Sequence, residues 1–274
     1  MVYGIPVANS PSNKNFSSNN MGKFQPYAKL MKASADQAIV LYYAPDNASL
    51  IIRLLLEELA LPYQTVLVDR SINAQKSAEY LKLSPAGLIP VCIIDGESVF
   101  ETGAILLTLA DSHQKFSIRV GDTQRSQFLK WLFFLSNNLH ADLRQRFYPE
   151  KYAGKDATAI SAFTKITLQR LVERFDTFDN LYRKSSDTFL FGTEPTVIEF
   201  YLSVCFRWAQ LYPVADQSKN RQNNFPAARF KGVVEMVQHL EQRPAVRLAC
   251  EKEGIAGKFF SVPTFADPPE GVAL

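Results

Sequence analysis

Cysteine is scarce in this sequence of 274 residues, with three residues that lie far apart at Cys92, Cys205 and Cys250. An odd number of isolated cysteines provides neither a disulfide framework nor the clustered thiolates of a metal site. The pattern is typical of small buried side chains in a reducing compartment. We therefore expect a cytoplasmic protein that holds no metal.

The sequence also lacks a strong charge imbalance and a long apolar run. Its 30 basic and 27 acidic residues leave a net charge of +3, which gives little electrostatic reason to expect nucleic acid as a partner. No apolar stretch approaches the ~20 residues that cross a bilayer, and the amino-terminal residues lack the pattern of a secretory signal. Hydrophobic residues make up 47% of the chain and charged residues 21%, as in ordinary globular proteins. We expect a globular protein that binds neither nucleic acid nor membrane.

The first 37 residues differ in composition from the rest of the chain. Between Asn9 and Asn20 the sequence is mostly asparagine and serine, and it has no apolar periodicity. Such a polar tract at a terminus is typical of a segment without a packed core of its own. We predict that residues 1–37 form a flexible extension.

Residues 38–115 alternate between short apolar runs and helical patterns. The predicted order is a strand at 38–43, a helix at 48–61, a strand at 63–69, a helix at 74–83, a strand after Pro90, a short strand at 99–100 and a helix at 101–113. A strand–helix–strand start predicts a parallel pair with a right-handed crossover, and the final hairpin adds an antiparallel edge. This part is predicted to be an α/β domain of βαβαββα order.

In the second half of the chain, residues 122–262, the apolar residues recur with the spacing of a helix throughout. Helices are predicted at Thr123–Phe147, Asp156–Arg183, Thr196–Leu211 and Ala227–Gln242, with a short piece from Ala245. The three prolines after Val262 predict an irregular tail at residues 263–274. We therefore expect an all-α domain packed on the α/β domain.

Several segments of the chain carry short sequence signatures. Residues 84–105 follow the pattern Pro-x-Gly-x-(Val/Ile)-Pro, then Asp-Gly, then Glu-Ser/Thr-x-Ala-Ile, and residues 193–208 contain a helix-capping pattern that includes Glu199. These two segments resemble signatures of the glutathione transferase superfamily, in which an aspartate is usual at the position of Glu199 in the helical domain. Further similarity to the bacterial, beta-like members lies in residues 41–69, 129–149 and 241–255. The resemblance implies a thioredoxin-like domain followed by an all-α domain. It also implies a homodimer that uses glutathione as cosubstrate.

One departure from the beta-like members concerns the reacting group. Those enzymes usually have a cysteine where this sequence has Ala48. Without that thiol the protein cannot form a mixed disulfide with glutathione at this position, which argues against thiol exchange of that type. Activation of the glutathione thiol then requires another donor. A single hydrogen bond to the thiolate, worth ~1.5–3 kcal/mol, is sufficient to lower the thiol pKa by about two units.

Three side chains near the start of the first helix are candidates for that donor. Ser49 matches a serine of the family motif and comes first, followed by Asn47 and the phenol of Tyr43. Ser49 and Asn47 have the alternative role of capping the helix. Tyr43 has the alternative of a packed core aromatic. These alternatives stay open at the level of sequence.

The resemblance also assigns residues to the peptide part of glutathione. Pro90 is expected to follow a cis peptide bond, which would leave the backbone N–H and C=O of Ile89 free to pair with the cysteinyl part of the tripeptide. Thr102, at the start of a helix, is expected to hold the γ-glutamyl carboxylate. Glu101 is expected to pair with the γ-glutamyl ammonium.

Across the cleft the resemblance implies a histidine that faces the thiol, and His140 occupies that position. As a neutral imidazole it could accept the thiol proton, and as a donor it could stabilise the anion. Candidates for the apolar wall of the electrophile pocket are Phe147, Tyr148, Tyr152 and Trp208. Thr196 and Glu199 are spaced as a capping box, and Arg207 and Trp208 are expected to pack inside the helical domain.

The leading hypothesis from the sequence is a glutathione transferase that conjugates glutathione to a small apolar electrophile. A protein of the same fold that binds glutathione without catalysis, as a regulator or an interaction module, is the alternative. Another glutathione-dependent reaction, such as dehalogenation, isomerisation or peroxide reduction, is a third possibility. No residue pattern in the sequence selects among these reactions.

Overall fold

The computed structural model describes residues 39–214 and 223–273 of the chain. The predicted flexible extension at residues 1–37 lies outside them. Strand β1, Ile39–Tyr43, is buried along its whole length. Helix α1, Ser49–Glu58, follows it and buries its first eight residues, because apolar side chains occupy most of its circumference.

Four strands form one mixed sheet in the order β2-β1-β3-β4. Strand β2, Gln64–Leu67, is parallel to β1, and strand β3, Val91–Ile94, is antiparallel to β1. Strand β4, Glu97–Phe100, closes the hairpin with β3. The sheet therefore confirms the predicted parallel pair and the antiparallel edge.

Two helices complete the α/β part. Helix α2, Ala78–Leu83, is shorter than the predicted helix at 74–83, because Ser77 caps a new helix start by accepting a hydrogen bond from the N–H of Tyr80. Residues 74–76 before it form a separate 3₁₀ turn. Helix α3, Thr102–Ser112, is close to its predicted bounds.

The secondary structure in the remaining described residues is helical apart from one isolated bridge. The helices are α4 (Arg125–Phe134), α5 (His140–Phe147), α6 (Glu150–Ala153), α7 (Ala157–Lys184), α8 (Val197–Leu211), α9 (Lys231–Glu241) and α10 (Pro244–Glu251). A π-helical turn, Leu135–Leu139, joins α4 to α5. The capping box of Thr196 and Glu199 is present at the start of α8, as predicted. A thioredoxin-like part followed by an all-α part is thus the observed architecture.

Residues 37–274 form one compact unit, in which the sheet and the helical part share a continuous core. Residues 262–273 contain neither helix nor strand. Among the residues that the structure describes, no helix combines the length and the apolar content that a bilayer crossing requires.

A buried ionic group joins the two parts of this unit, and we call it the Asp46 cluster. The guanidinium of Arg207 donates two hydrogen bonds of 2.9 and 2.8 Å to the Asp46 carboxylate, and the indole of Trp208 donates to Asp46 at 3.1 Å. Glu253 accepts from the N–H of Asp46 at 2.8 Å and from Nε of Arg53 at 2.9 Å. The expectation that Arg207 and Trp208 pack inside the helical part is therefore corrected: they bridge to the turn after β1, because the buried carboxylate of Asp46 requires a counter-charge.

Candidate functional site

An open cleft of about 510 Å³ lies between the α/β part and the helical part. Six of the eight predicted site residues line it, namely Asn47, Ile89, Pro90, Glu101, Thr102 and His140. The other two, Ser49 and Tyr43, do not line the cleft. The fold therefore brings together most of the predicted residues and separates the two hydroxyl candidates from them.

The turn between β1 and α1 presents Asn47 to the cleft. Asp46 has φ +48° and is held on the interior side by its cluster, so the next residue faces the opposite direction. The side-chain oxygen of Asn47 accepts a hydrogen bond of 2.7 Å from the N–H of Ala48. With its oxygen engaged, the amide NH₂ of Asn47 is the end left to donate to a ligand.

Ser49 lies on the interior side of the same turn. Its hydroxyl donates to the carbonyl of Ala44 at 2.9 Å and accepts from the N–H of Ala44 at 3.3 Å, and the residue is fully buried. The hydroxyl therefore stabilises the strand–helix turn. The sequence could not reveal this, because the bond depends on how the turn folds back on the end of β1.

Tyr43 also has a partner away from the cleft. Its phenol donates to the carboxylate of Glu270 in the carboxyl-terminal tail. Burial and this hydrogen bond raise the pKa of Tyr43 well above its ordinary value, so the phenol stays protonated. Tyr43 thus fixes the tail against the end of β1, a contact between residues too distant in sequence to be predicted.

The peptide bond between Ile89 and Pro90 is cis, as predicted, and both residues line the cleft. Within residues 39–214 and 223–273, no hydrogen bond involves the backbone N–H or C=O of Ile89. A free backbone donor and acceptor at a cleft can pair with an extended peptide.

The start of helix α3 has an unusual backbone. Glu101 has φ +72° and ψ +116°, a combination that costs non-glycine residues about 1–3 kcal/mol. Its side chain is exposed at the cleft, whereas Thr102 is 6% exposed and contacts the hydroxyl of Tyr201. The first N–H groups of α3 have no partner within the helix and attract an anion. This end of the cleft therefore offers an anion site beside a carboxylate.

His140 faces the cleft from the helical side. The π turn before it inserts one residue, which rotates the following helical face by about 100° relative to an uninterrupted helix. The Nδ1 atom of His140 lies 2.7 Å from the hydroxyl of Tyr201, and its ring lies 5.5 Å from that of Trp208. Burial lowers the pKa of His140 to about 4, with a further contribution from the charge of Arg144. The imidazole is therefore neutral near pH 7 and is a weak base.

The four predicted wall residues, Phe147, Tyr148, Tyr152 and Trp208, all line the cleft. Phe147 contacts Tyr148 and Trp208 edge-on, with ring centres 6.5 Å apart in each pair. Tyr152 is 47% exposed at the mouth. Aromatic rings thus continue from the His140 region to the solvent.

Sequence reasoning missed three cations that line the cleft, Arg70, Arg144 and Lys151. Arg70 reaches across the cleft and donates to the hydroxyl of Tyr148 at 2.9 Å, and Nζ of Lys151 lies 4.0 Å from the centre of the Tyr148 ring. Arg144 follows His140 by four residues, which places both on one helical face. That spacing was the available signal for Arg144. Lys76 lines the cleft as well and donates to the carbonyl of Ala86 at 3.2 Å.

None of the three cysteines lines the cleft, and all three are buried. Burial raises the pKa of Cys92 to about 12, and it raises the pKa of each of the other two thiols well above the ordinary value. Across the described ranges, no group of histidine, cysteine or acidic residues could hold a metal ion. The chemistry of the cleft therefore depends on hydrogen-bond donors, a neutral imidazole and cations.

Comparison with known proteins gives a consistent result. Residues 48–112 match the family model described as the glutathione S-transferase amino-terminal domain. A curated relative from Xanthomonas campestris, glutathione S-transferase GST-4.5, is 28% identical over 173 residues, which cover 62% of this chain and 81% of the relative.

Two further matches add detail. The disulfide-bond oxidoreductase YfcG of Escherichia coli is 37% identical over 118 residues, which cover 40% of this chain and 54% of the relative. The solved structure of glutathione transferase URE2P6 from Phanerochaete chrysosporium, in complex with oxidised glutathione, shares the fold with a TM-score of 0.66 at 21% identity, and the match covers 80% of this chain and 98% of that one. The fold, the family model and the curated relatives agree: the chain is similar to members of the glutathione S-transferase superfamily, and residues 48–112 match the amino-terminal domain of that superfamily.

Proposed function

We propose that this protein is a glutathione transferase, which binds glutathione, stabilises its thiolate and conjugates it to a small electrophile with an apolar body. One observation carries the proposal. A single cleft brings together four features. They are the backbone N–H and C=O of Ile89, which have no hydrogen-bond partner in the described residues, an anion site at the start of α3, the amide of Asn47 and an aromatic wall. Each of these groups matches one part of the reaction.

The γ-glutamyl end of glutathione fits the start of helix α3. Its carboxylate is placed at Thr102, where a hydroxyl and unpaired helical N–H groups meet. Its ammonium is placed at Glu101, the only acidic residue that lines the cleft in the described part of the chain. The strained backbone of Glu101 is in keeping with a residue positioned for binding.

The cysteinyl part then pairs with the backbone of Ile89, and its sulfur lies at the start of helix α1. There the amide NH₂ of Asn47 donates to the thiolate, and the helix start adds a further ~0.3–1 kcal/mol. Together with a charge-assisted hydrogen bond of ~1.5–3 kcal/mol, this lowers the thiol pKa by about two units. Because the imidazole of His140 is uncharged near pH 7, it acts as a hydrogen-bond donor to the anion rather than as the base.

The thiolate attacks an electrophile that lies against Phe147, Tyr148 and Trp208. These rings exclude water from one side of the reacting atoms, which strengthens the electrostatic stabilisation of the anion. The cleft opens past Tyr152, which gives the electrophile a route of entry. The contribution of the protein is thus to activate the thiol and to orient the electrophile.

The relative YfcG is named a disulfide-bond oxidoreductase, and thiol exchange is therefore a second candidate. Ala48 opens the helix where a reactive cysteine would stand, and the three cysteines are buried away from the cleft. In the described part of the chain, the cleft therefore has no protein thiol that could form a mixed disulfide with glutathione. These observations favour conjugation over exchange through a protein thiol.

Calorimetric titration with glutathione tests the proposal. We expect saturable binding below millimolar concentration, and we expect Thr102→Val to weaken it about tenfold through the loss of one charge-assisted hydrogen bond. The matched control is Thr108→Val, a position on the exposed side of the same helix that does not line the cleft. Absence of binding would exclude the enzyme, whereas binding without turnover of any chloronitrobenzene, epoxide or hydroperoxide would indicate the regulatory alternative.

A homodimer in the cytoplasm, with a role in detoxification, completes the proposal. Two large apolar side chains at the surface, Phe100 and Phe133, are 41% and 53% exposed and are suited to a subunit contact. Three reduced, buried cysteines fit a reducing compartment. Analytical ultracentrifugation of the wild type and of a Phe133→Lys variant measures the assembly directly.

A further inference from the structure

The helical wall of the cleft carries positive charge as well as aromatic rings. Arg144 and Lys151 lie on it, and Arg70 faces them from the α/β part. None of these three forms an ion pair with a carboxylate anywhere in residues 39–214 or 223–273. Several arginines elsewhere are paired with carboxylates, among them Arg53, Arg125, Arg170, Arg207 and Arg243.

Bound glutathione does not account for these cations. In the proposed placement its ammonium pairs with Glu101, its γ-glutamyl carboxylate lies at Thr102 and its thiolate lies at Asn47. The glycyl carboxylate remains, and Lys76 lies on the α/β side beside Ala86 to receive it. The helical-side cations are therefore left to face the second substrate.

The spacing of these groups indicates the size of that substrate. Arg144 is one helical turn, or ~6 Å, beyond His140 along α5, which is about the distance between the two para substituents of an aromatic ring. Tyr148 follows after another turn, and its ring is covered by the ammonium of Lys151 at 4.0 Å. A flat ring that lies along this face would have one end at the thiolate and the other between two cations.

We propose that the electrophile for this cleft is an aromatic compound that carries an anionic group, which Arg144 and Lys151 bind at the end opposite the reacting carbon. This inference rests on the proposed function, and it narrows the substrate class. The apolar wall receives the ring, and a carboxylate or a sulfonate matches the unpaired cations better than a neutral group does. Arg70 is engaged with Tyr148 and positions that ring rather than binding the anion.

A suitable reaction is aromatic substitution on 4-chloro-3-nitrobenzoate. The thiolate of glutathione forms a bond to the carbon that bears chlorine, and the carbon–chlorine bond breaks so that chloride leaves with the electron pair. The thiol proton has already passed to solvent, and no redox partner takes part. The corresponding benzamide presents the same ring, leaving group and nitro group without the negative charge.

The test compares binding of the two conjugates that these reactions produce, and it requires no turnover. S-(4-carboxy-2-nitrophenyl)glutathione and its 4-carbamoyl counterpart are titrated into the full chain by calorimetry. We expect the carboxylate to bind about fivefold tighter at low salt, as a partly exposed charge pair allows. Arg144→Gln and Lys151→Gln are each expected to reduce this ratio, and the double variant is expected to abolish it. Affinity for the carbamoyl conjugate stays the same.

The controls separate this inference from the proposed function. Lys155→Gln removes an exposed cation that does not line the cleft, and it should leave the ratio unchanged. Arg144→Lys keeps the charge and should restore most of the preference. Equal affinity of the two conjugates for the wild type would overturn the inference while glutathione binding stands. A preference that survives the double variant would also overturn it. Failure of glutathione and both conjugates to bind would overturn the proposed function and this inference together.

Discussion

Asp46 and Asn47 are neighbours in the sequence, but they face two different environments. Asp46 is fully buried, and the guanidinium of Arg207, the indole of Trp208 and the carboxylate of Glu253 satisfy its polar atoms. Asn47 lies at an open cleft, and its NH₂ group has no hydrogen-bond partner among residues 39–214 and 223–273. The comparison suggests that the interior side of this turn serves stability, whereas the cleft side keeps its donors unpaired for a ligand.

The largest expected effect is on the interior side. Replacing Arg207 with methionine leaves the buried carboxylate of Asp46 without a counter-charge, and we expect the free energy of unfolding to fall by about 3–5 kcal/mol. Urea denaturation measures this loss. The control is Arg229→Met, which removes an exposed ion pair with Asp176 and should cost about 0.5 kcal/mol. Equal losses in the two variants would contradict a structural role for the Asp46 cluster.

The next effect is a dependence of stability on pH. Burial raises the pKa of Glu253 from 4.5 to about 7, so the folded chain retains this proton when the unfolded chain has lost it. The resulting contribution to stability is fully present below pH 4.5 and is lost as the pH rises through 7. We expect the wild type to lose about 3 kcal/mol relative to Glu253→Gln across this interval. The free energy of unfolding of each protein is measured at a series of pH values. If the two plots against pH run parallel, the prediction is wrong.

A smaller effect is expected at Ser49. Ser49→Ala removes a buried hydroxyl that bonds both backbone groups of Ala44, and it should reduce the free energy of unfolding by about 1–2 kcal/mol. The pKa of the bound glutathione thiol should not change, because this hydroxyl lies outside the cleft. Ser136→Ala, which removes a hydroxyl at the cleft, should change stability by less than ~0.5 kcal/mol. A raised thiol pKa in Ser49→Ala would return Ser49 to the catalytic role.

The sequence was sufficient for the elements of the fold and for several residues that line the α/β side of the cleft. Periodicity indicated the strands and the long helices, and one contiguous motif contained Ile89, Pro90, Glu101 and Thr102. Local signals of this kind can be read from the sequence because the residues that make them are near neighbours in the chain.

The parts that could not be predicted depend on residues far apart in sequence. Tyr43 is bound by Glu270 in the tail, and Asp46 is bound by Arg207 and Glu253. The π turn before His140 changes which residues of the following helix face the cleft. The apolar pattern does not reveal this turn, because it begins and ends with leucine, as an ordinary helical turn could. Without these contacts, no pattern could decide which of the donors near the start of α1 faces the cleft.

The central claim is that Asn47, on the open side of the turn, stabilises the glutathione thiolate. Thiolate absorbance of the bound tripeptide, recorded against pH, tests it most directly in the wild type, in Asn47→Ala and in the matched variant Asn138→Ala, whose side chain does not line the cleft. The account predicts that Asn47→Ala raises the thiol pKa by about one unit or more, with little change in stability and none in the Asn138 variant. A thiol that titrates at the same pH in all three proteins would contradict it.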